Sequence, residues 1–361
     1  MTVNYSALRS ESRVKLEEAV PLAGPLSVYV EPTNICNFRC KFCPESFEDF
    51  YQQSGGRFQL APGDFELILR EIKTIGTVKT LNFYMMGEPF ANRNLLKYIR
   101  QSKESRAVER LIVTSNGTLL KHPLYGDICT SGLDYIRISI YGAFEETHHE
   151  RTGSSFKLDR IKEQIRALKK YRDNLGLTFP KIYIKMIQVN DPLENSTFLR
   201  EFAPLGDEVA LEPIMNWNDP KDGNLSQMST EDLQATSYFA HRKKVCPFPF
   251  YTVVIHSDLK VSVCCVDWNK KVVIGDLRKT SLLQIWNGIK LNNIQRAHLL
   301  GRRDQLEGCR DCTYLHTAPD NLDSLSVAEF DKRRVHNSAL SSLQPDASFS
   351  SLGCIPIVAG S

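Results

Sequence analysis

From residue 26 onward the chain alternates short apolar runs, rich in β-branched and aromatic residues, with longer stretches whose apolar residues recur at three- and four-residue spacing. Segments 26–32 (LSVYVEP), 80–86 (TLNFYMM), 110–116 (RLIVTSN), 135–142 (YIRISIYG), 181–189 (KIYIKMIQV) and 208–214 (EVALEPI) have the character of six strands. Between them, segments 63–76, 92–103, 119–132, 157–174 and 194–206 carry helical periodicity. Nearly continuous apolar strands separated by helices predict an α/β fold with a parallel sheet under helices, either a barrel or an open doubly wound sheet. In both, functional side chains gather at the C-terminal ends of the strands.

Composition narrows the class. Of 361 residues, 42% are hydrophobic and 24% charged, which is ordinary for a folded globular chain. Lys and Arg total 45 against 42 Asp and Glu, so the net charge of +3 carries no nucleic-acid footprint. The short basic runs at 241–244 (HRKK) and 332–334 (KRR) are expected to be solvated faces. No apolar run approaches the roughly 18 residues of a membrane span, and the first residues, MTVNYSALRSESRVKLEE, lack a secretory apolar core. A cytoplasmic chain with no membrane or nucleic-acid partner is expected, and its ten cysteines then point to metal or redox chemistry instead of disulfides.

Organisation along the chain suggests an N-terminal extension over 1–25, a βα-repeat unit over 26–243, a small unit over 244–317 and a mostly mobile tail over 318–361. The polar run around 216–230 (NWNDPKDGNLSQMST) has the composition of a linker or lid. In the small unit, FYTVVIHSDLKVSVCC (250–265) predicts a hairpin turning near Ser257 and Asp258, and 281–300 predicts one amphipathic helix.

Directly after the first strand, EPTNICNFRCKFCPES places Cys36, Cys40 and Cys43 in a C-x3-C-x2-C pattern. Thiolates on one loop can each take a different iron of a cubane, and three of them leave one iron open for a substrate or cofactor. A zinc site borrowing a fourth ligand is the bland alternative. Further along, Cys246, Cys264, Cys309 and Cys312 are spaced C-x17-C-x44-C-x2-C, which suits four thiolates on one metal centre, a cluster or a structural zinc.

With its aromatic Phe42 before the last cysteine, the triplet resembles that of the radical S-adenosylmethionine (SAM) enzymes, and the likeness extends over most of 26–312. The resemblance implies a partial (β/α)6 TIM-like barrel with a small C-terminal β-hairpin plus helix cluster-binding domain. It also implies a 4Fe-4S cluster on Cys36, Cys40 and Cys43 whose open iron chelates SAM; reductive cleavage then yields a 5'-deoxyadenosyl radical that abstracts hydrogen from substrate. Phe42 matches the aromatic position by the adenine. MMGEP (85–89) matches the segment that receives the SAM ammonium group, through Gly87, Glu88 and Pro89. Ser115 and Asn116 of TSNG follow the third strand, Ser139 matches a position near the ribose or carboxylate, Arg151 of HERTG matches a carboxylate-binding arginine, and Gln188 and Asn190 end the fifth strand on the adenosine side.

The C-terminal part, including SLLQIWN before the closing cysteine pair, resembles the SPASM or twitch domain, implying one auxiliary 4Fe-4S cluster on Cys246, Cys264, Cys309 and Cys312. Cys264 is preferred over the adjacent Cys265, which is expected to be a packed bystander or, as a candidate catalytic group, a hydrogen donor to a substrate radical. Cys129 is expected in the core, Cys354 in the tail, and His148 and His149 exposed beside the barrel mouth. Trp217 and Trp268 are expected as packing residues or cavity lining.

The cysteine spacing is similar to that of single-cluster aminocyclitol dehydrogenases of this family. It implies dehydrogenation of a sugar-like or aminocyclitol substrate, with the auxiliary cluster accepting an electron and an external one-electron reductant, flavodoxin or ferredoxin, feeding the first. Sugar epimerisation and thioether formation or epimerisation on a ribosomal peptide are the alternatives. Because only some 25 residues precede the first strand, too few for a peptide-binding module, the peptide reading is disfavoured.

Overall fold

The structure, a computed structural model, describes residues 14–212, 243–310 and 312–342. The predicted strands form as β1 (Ser27–Val30), β2 (Val78–Phe83), β3 (Val108–Ser115), β4 (Tyr135–Ile140), β5 (Lys181–Ile187) and β6 (Glu208–Glu212), each parallel to the next. On the far side of β1 lies β7 (Thr252–Ile255), also parallel, followed by antiparallel β8 (Lys260–Ser262) and β9 (Val273–Asp276). One sheet of order β6-β5-β4-β3-β2-β1-β7-β8-β9 results, so the C-terminal hairpin continues the barrel sheet.

Alternation along each strand gives the sheet two different faces. Val28, Leu81, Val113, Ile136, Ile138 and Ile184 lie in the main core beneath the helices. The helix Leu158–Asn174 buries Leu158, Ile161, Ile165 and Leu168, a three- and four-residue stripe that seats it on the sheet. Residues between the core positions, among them Tyr29, Thr114, Arg137, Ser139, Tyr183 and Lys185, therefore face the barrel lumen.

Three expectations need correction. Segment 281–300 forms two helices, Leu282–Trp286 and Ile289–Leu299, because the chain leaves helical hydrogen bonding at Asn287 and Gly288. Residues 318–342 are not a loose tail: Val327–Ser342 is helical, and Leu322, Leu325 and Phe330 are buried with Leu16, Val20 and Phe250. Burying an aromatic such as Phe330 contributes about 1.5–3 kcal/mol, enough to fasten such a segment. His148 is not exposed; it is fully buried with its ring 5.8 Å from that of Phe38, while His149 is half-exposed and 2.9 Å from Glu145.

Cys129 is buried, as expected, and Trp268 stacks on Phe50 at 5.5 Å as a packing residue. Segment 216–230, Trp217 and Cys354 lie outside the described residues. Among the described residues no helix is long and apolar enough to cross a membrane.

Candidate active site

Cys36, Cys40 and Cys43 follow β1 at the C-terminal edge of the sheet. Their loop is fixed by backbone bonds from Arg39 N to Thr152 O (2.9 Å), Lys41 N to Arg151 O (2.8 Å) and Glu88 N to Ile35 O (3.0 Å). Gly87 closes this approach: its φ is +76°, and a Cβ there would stand 2.3 Å from Thr33 O. Cys40 is buried and Cys36 and Cys43 are half-buried, and desolvation raises the pKa of all three thiols, that of Cys36 to about 12. A cationic metal centre relieves that penalty, because thiolates are its ligands. Among the described residues no three His, Cys, Asp or Glu side chains converge as a single ion would require. A cubane binds each thiolate at a separate iron and asks for wider spacing, so the donor set fits a cluster.

Several of the expected SAM contacts form one network around this loop. Glu88 is buried and accepts from Ser115 Oγ (2.8 Å), Asn116 N (2.7 Å) and Phe90 N (3.1 Å). Burial nonetheless raises its carboxyl to about 7. Asn116 Nδ2 reaches Asn37 Oδ1 at 2.9 Å and Cys36 Sγ at 3.8 Å, tying the end of β3 to the cysteine loop. Gly87 N donates to Glu45 Oε1 at 2.5 Å, and Pro89 is buried.

Arg151 is held differently. Its guanidinium makes two 2.8 Å bonds to Glu194 and a 3.1 Å bond to Tyr141 O, so it is clamped to the helix Pro192–Phe202. Ser139 is buried on the lumen side of β4, Phe42 is half-buried, Gln188 N bonds Glu212 O at 2.8 Å, and Asn190 is exposed beyond β5.

The C-terminal thiols share one cavity. Cys246, Cys264, Cys309 and Cys312 line one cavity together with Val272, His298, Arg303 and Tyr314. Arg303 Nη1 donates to both Cys309 O and Cys312 O at 2.7 Å, which fixes the closing pair. His298 is fully buried and neither ring nitrogen has a partner, an orphan that a cluster's sulfurs would satisfy. Burial raises Cys309 to about 12. Cys265 is not in that lining; it packs with Tyr29, Met85 and Trp268, its Sγ 3.5 Å from Tyr314 Oη.

One lumen group is not singled out by any sequence motif. Glu212 accepts from Arg137 Nη2 (2.6 Å), Lys185 Nζ (2.8 Å) and Tyr183 Oη (3.0 Å). Its signal in the sequence is alternation: Arg137, Tyr183 and Lys185 are polar residues at alternate positions of otherwise apolar strands, all on one face.

A parallel sheet carrying three thiols beyond its first strand and four more around a second cavity defines an iron-sulfur enzyme built on a partial barrel. Residues 30–183 match the radical SAM superfamily and residues 246–313 match SPASM, an iron-sulfur cluster-binding domain. The chain is a radical SAM enzyme with a C-terminal SPASM-type domain, and its cofactors are 4Fe-4S clusters and SAM.

It is 34% identical over 182 residues to the probable GTP 3',8-cyclase of Metallosphaera sedula, a match covering 50% of this chain and 52% of that protein. The chain thus spans about half the length of that relative. Its fold resembles that of BtrN in complex with AdoMet and 2-DOIA, with TM-score 0.54 and 16% identity over 80% of this chain and 92% of that one. It also resembles Streptococcus suis SuiB bound to precursor peptide SuiA, with TM-score 0.60 and 16% identity over 86% and 78% of the two chains.

Proposed function

We propose that this chain is a cytoplasmic radical SAM oxidoreductase that dehydrogenates an alcohol carbon of a sugar-like small molecule. In this reading Cys36, Cys40 and Cys43 hold the SAM-binding cluster and Cys246, Cys264, Cys309 and Cys312 hold the auxiliary one. Bound there, the first cluster and SAM would supply a deoxyadenosyl radical to take the hydrogen atom on the alcohol carbon, and the second would accept one electron as the hydroxyl proton of the resulting substrate radical passes to a base. Gly87, Glu88, Pro89, Ser115 and Asn116 shape the SAM edge of the site, with Phe42, Ser139, Gln188 and Asn190 around the nucleoside. Arg151 orients Tyr141 and the cysteine loop from its clamp on Glu194. Flavodoxin or ferredoxin is the external reductant.

The observation that carries this reading is the convergence of four thiols on one cavity. Four thiolates complete a cubane's ligation and leave no iron for substrate, so electron transfer is the use that remains. The polar lumen of Arg137, Tyr183, Lys185 and Glu212 then supplies donors and an acceptor for a hydroxylated substrate. The likeness to SuiB supports a second reading, modification of a ribosomal peptide.

The test is product stoichiometry. With reconstituted enzyme, SAM and limiting reductant, dehydrogenation gives one carbonyl per deoxyadenosine. Catalytic product with no two-electron oxidation removes the dehydrogenase and leaves epimerisation, of a sugar or of a peptide residue.

A further inference from the structure

We infer that the lumen binds an oxyanion of the substrate, a carboxylate or a phosphate, through Arg137, Lys185 and Thr114. This inference rests on the enzyme reading above and names the class of its substrate.

The charges in the lumen do not balance. Arg137 of β4 and Lys185 of β5 share the single carboxylate of Glu212, which engages both cations through its two oxygens and also takes the Tyr183 hydroxyl. Burial alone would raise the Glu212 carboxyl, yet Lys185 and Arg137 hold it near 2, so it is ionised at neutral pH. Two positive charges therefore face one negative charge. Among the described residues no second carboxylate bonds either cation, and Arg137 Nη1 meets the neutral hydroxyl of Tyr84 at 3.5 Å. Glu208 receives the Tyr135 hydroxyl at 3.5 Å, below a ring that Arg110 covers. Glu31 is held by Ser257 and the Met86 N–H, and Glu45 by Gly87 N and Arg39.

A second observation is independent of charge. Arg137 Nε and Thr114 Oγ1 are buried and have no hydrogen-bond partner. Thr114 and Arg137 are direct partners in the β3–β4 register, and Val113, Ile136 and Ile138 on the opposite face pack under the helices. Both orphaned groups thus lie side by side on the lumen face. Unpaired buried donors are rare, and two of them beside a surplus cation call for an acceptor carrying negative charge.

The location suits a substrate. Four residues beyond Arg137, roughly 13 Å along an extended strand, Tyr141 O accepts from Arg151, whose own carbonyl holds the cysteine loop at Lys41 N. At the other side, Arg137 Nη1 lies 3.5 Å from Tyr84 Oη, and Tyr84 packs against the cluster that holds Cys265, the neighbour of Cys264. The oxyanion subsite lies between the two thiol centres. An ammonium-bearing aminocyclitol would meet like charge there, whereas a polyol with a carboxylate or phosphate is matched.

The test is calorimetric titration of the reconstituted, SAM-loaded protein with inorganic phosphate and, separately, with acetate. Wild type is expected to bind at least one; phosphate alone identifies a phosphorylated substrate, acetate alone a carboxylate. R137Q and K185Q should weaken binding at least tenfold and T114V several-fold. E212Q should tighten it, because removing the carboxylate doubles the surplus positive charge.

Failure of both anions to bind wild type overturns the inference, as does unchanged affinity in both R137Q and T114V. Weakening by E212Q to the extent seen in R137Q also overturns it, since that is what a purely structural cluster would give. If R137Q does not fold, T114V and E212Q still decide. Reductive SAM cleavage is measured separately on the same wild-type samples. Its absence would sink the enzyme reading while the anion titration still reports on the lumen.

Discussion

The two thiol centres are built in opposite ways. The first draws Cys36, Cys40 and Cys43 from one eight-residue loop between strand ends, and that loop is hydrogen-bonded to residues 151–152 and to Glu88. The second gathers Cys246 from before β7, Cys264 from after β8 and the pair Cys309 and Cys312 from beyond the helix Ile289–Leu299. A centre seated on a finished sheet is positioned by the fold. A centre that joins three segments around a small cavity would help to make the fold, since metal bound there would also contribute folding free energy.

The largest expected effect breaks the first centre alone. Changing Cys36, Cys40 and Cys43 together to Ala should abolish reductive SAM cleavage and lower iron from about eight to about four per chain, with little change in melting temperature. Retained cleavage would remove the assignment of these ligands. Next comes the double change of Cys309 and Cys312 to Ala. SAM cleavage should stay measurable and substrate oxidation should stop. Melting temperature should fall by more than in the triple variant, because three segments lose their common tie. Equal melting shifts in the two variants would erase the contrast between a seated and an assembled centre.

A smaller effect is expected at the edge of the first centre. Gly87→Ala forces a side chain into positive φ and toward Thr33 O. Strain of this kind costs about 1–3 kcal/mol. Glu88 and its bonds to Ser115 and Asn116 would shift with it, so SAM affinity measured by equilibrium binding should drop about tenfold or more, the equivalent of 1.4 kcal/mol. Unchanged affinity would show that this turn is not part of the SAM edge.

The same contrast governs what is legible in the amino-acid sequence. Strands β1 to β6 and their helices are legible because burial on both faces writes long apolar runs, and the helix stripes repeat at 3.6. The first centre is legible because all three of its thiols are local. The second is legible only as a spacing; that Cys246, Cys264, Cys309 and Cys312 line one cavity depends on segments far apart in sequence meeting there and on Arg303 holding the closing pair. The continuation of the sheet into β7 leaves no local trace, because pairing with β1 joins residues more than 220 apart. Nor is the ordered end legible: Leu322, Leu325 and Phe330 show no regular stripe, and their partners lie in the first twenty residues and at Phe250. The Arg137–Glu212–Lys185 group is written in the strand alternation, but alone it looks like ordinary strand polarity.

The finest test asks whether the second centre is tuned by its wall as well as held by it. His298 lines the cavity, is fully buried, and has two ring nitrogens without partners. Burial lowers its pKa to about 4, with Arg303 adding to the effect, so the ring is neutral at pH 7 and carries one N–H. An N–H directed at a cluster sulfur or ligating thiolate stabilises the more negative, reduced state and so raises the reduction potential. A hydrogen bond worth ~1 kcal/mol corresponds to roughly 40 mV for a one-electron couple. His298→Phe keeps a ring of similar shape and removes the donor. Its auxiliary cluster should therefore show a midpoint lower by about that much in an EPR-monitored titration, while the potential of the SAM-binding cluster stays put. A shift in both potentials would mean the substitution perturbs the fold; a shift in neither would mean that the ring nitrogens face away from the cluster and that the second centre, like the first, is only held in place.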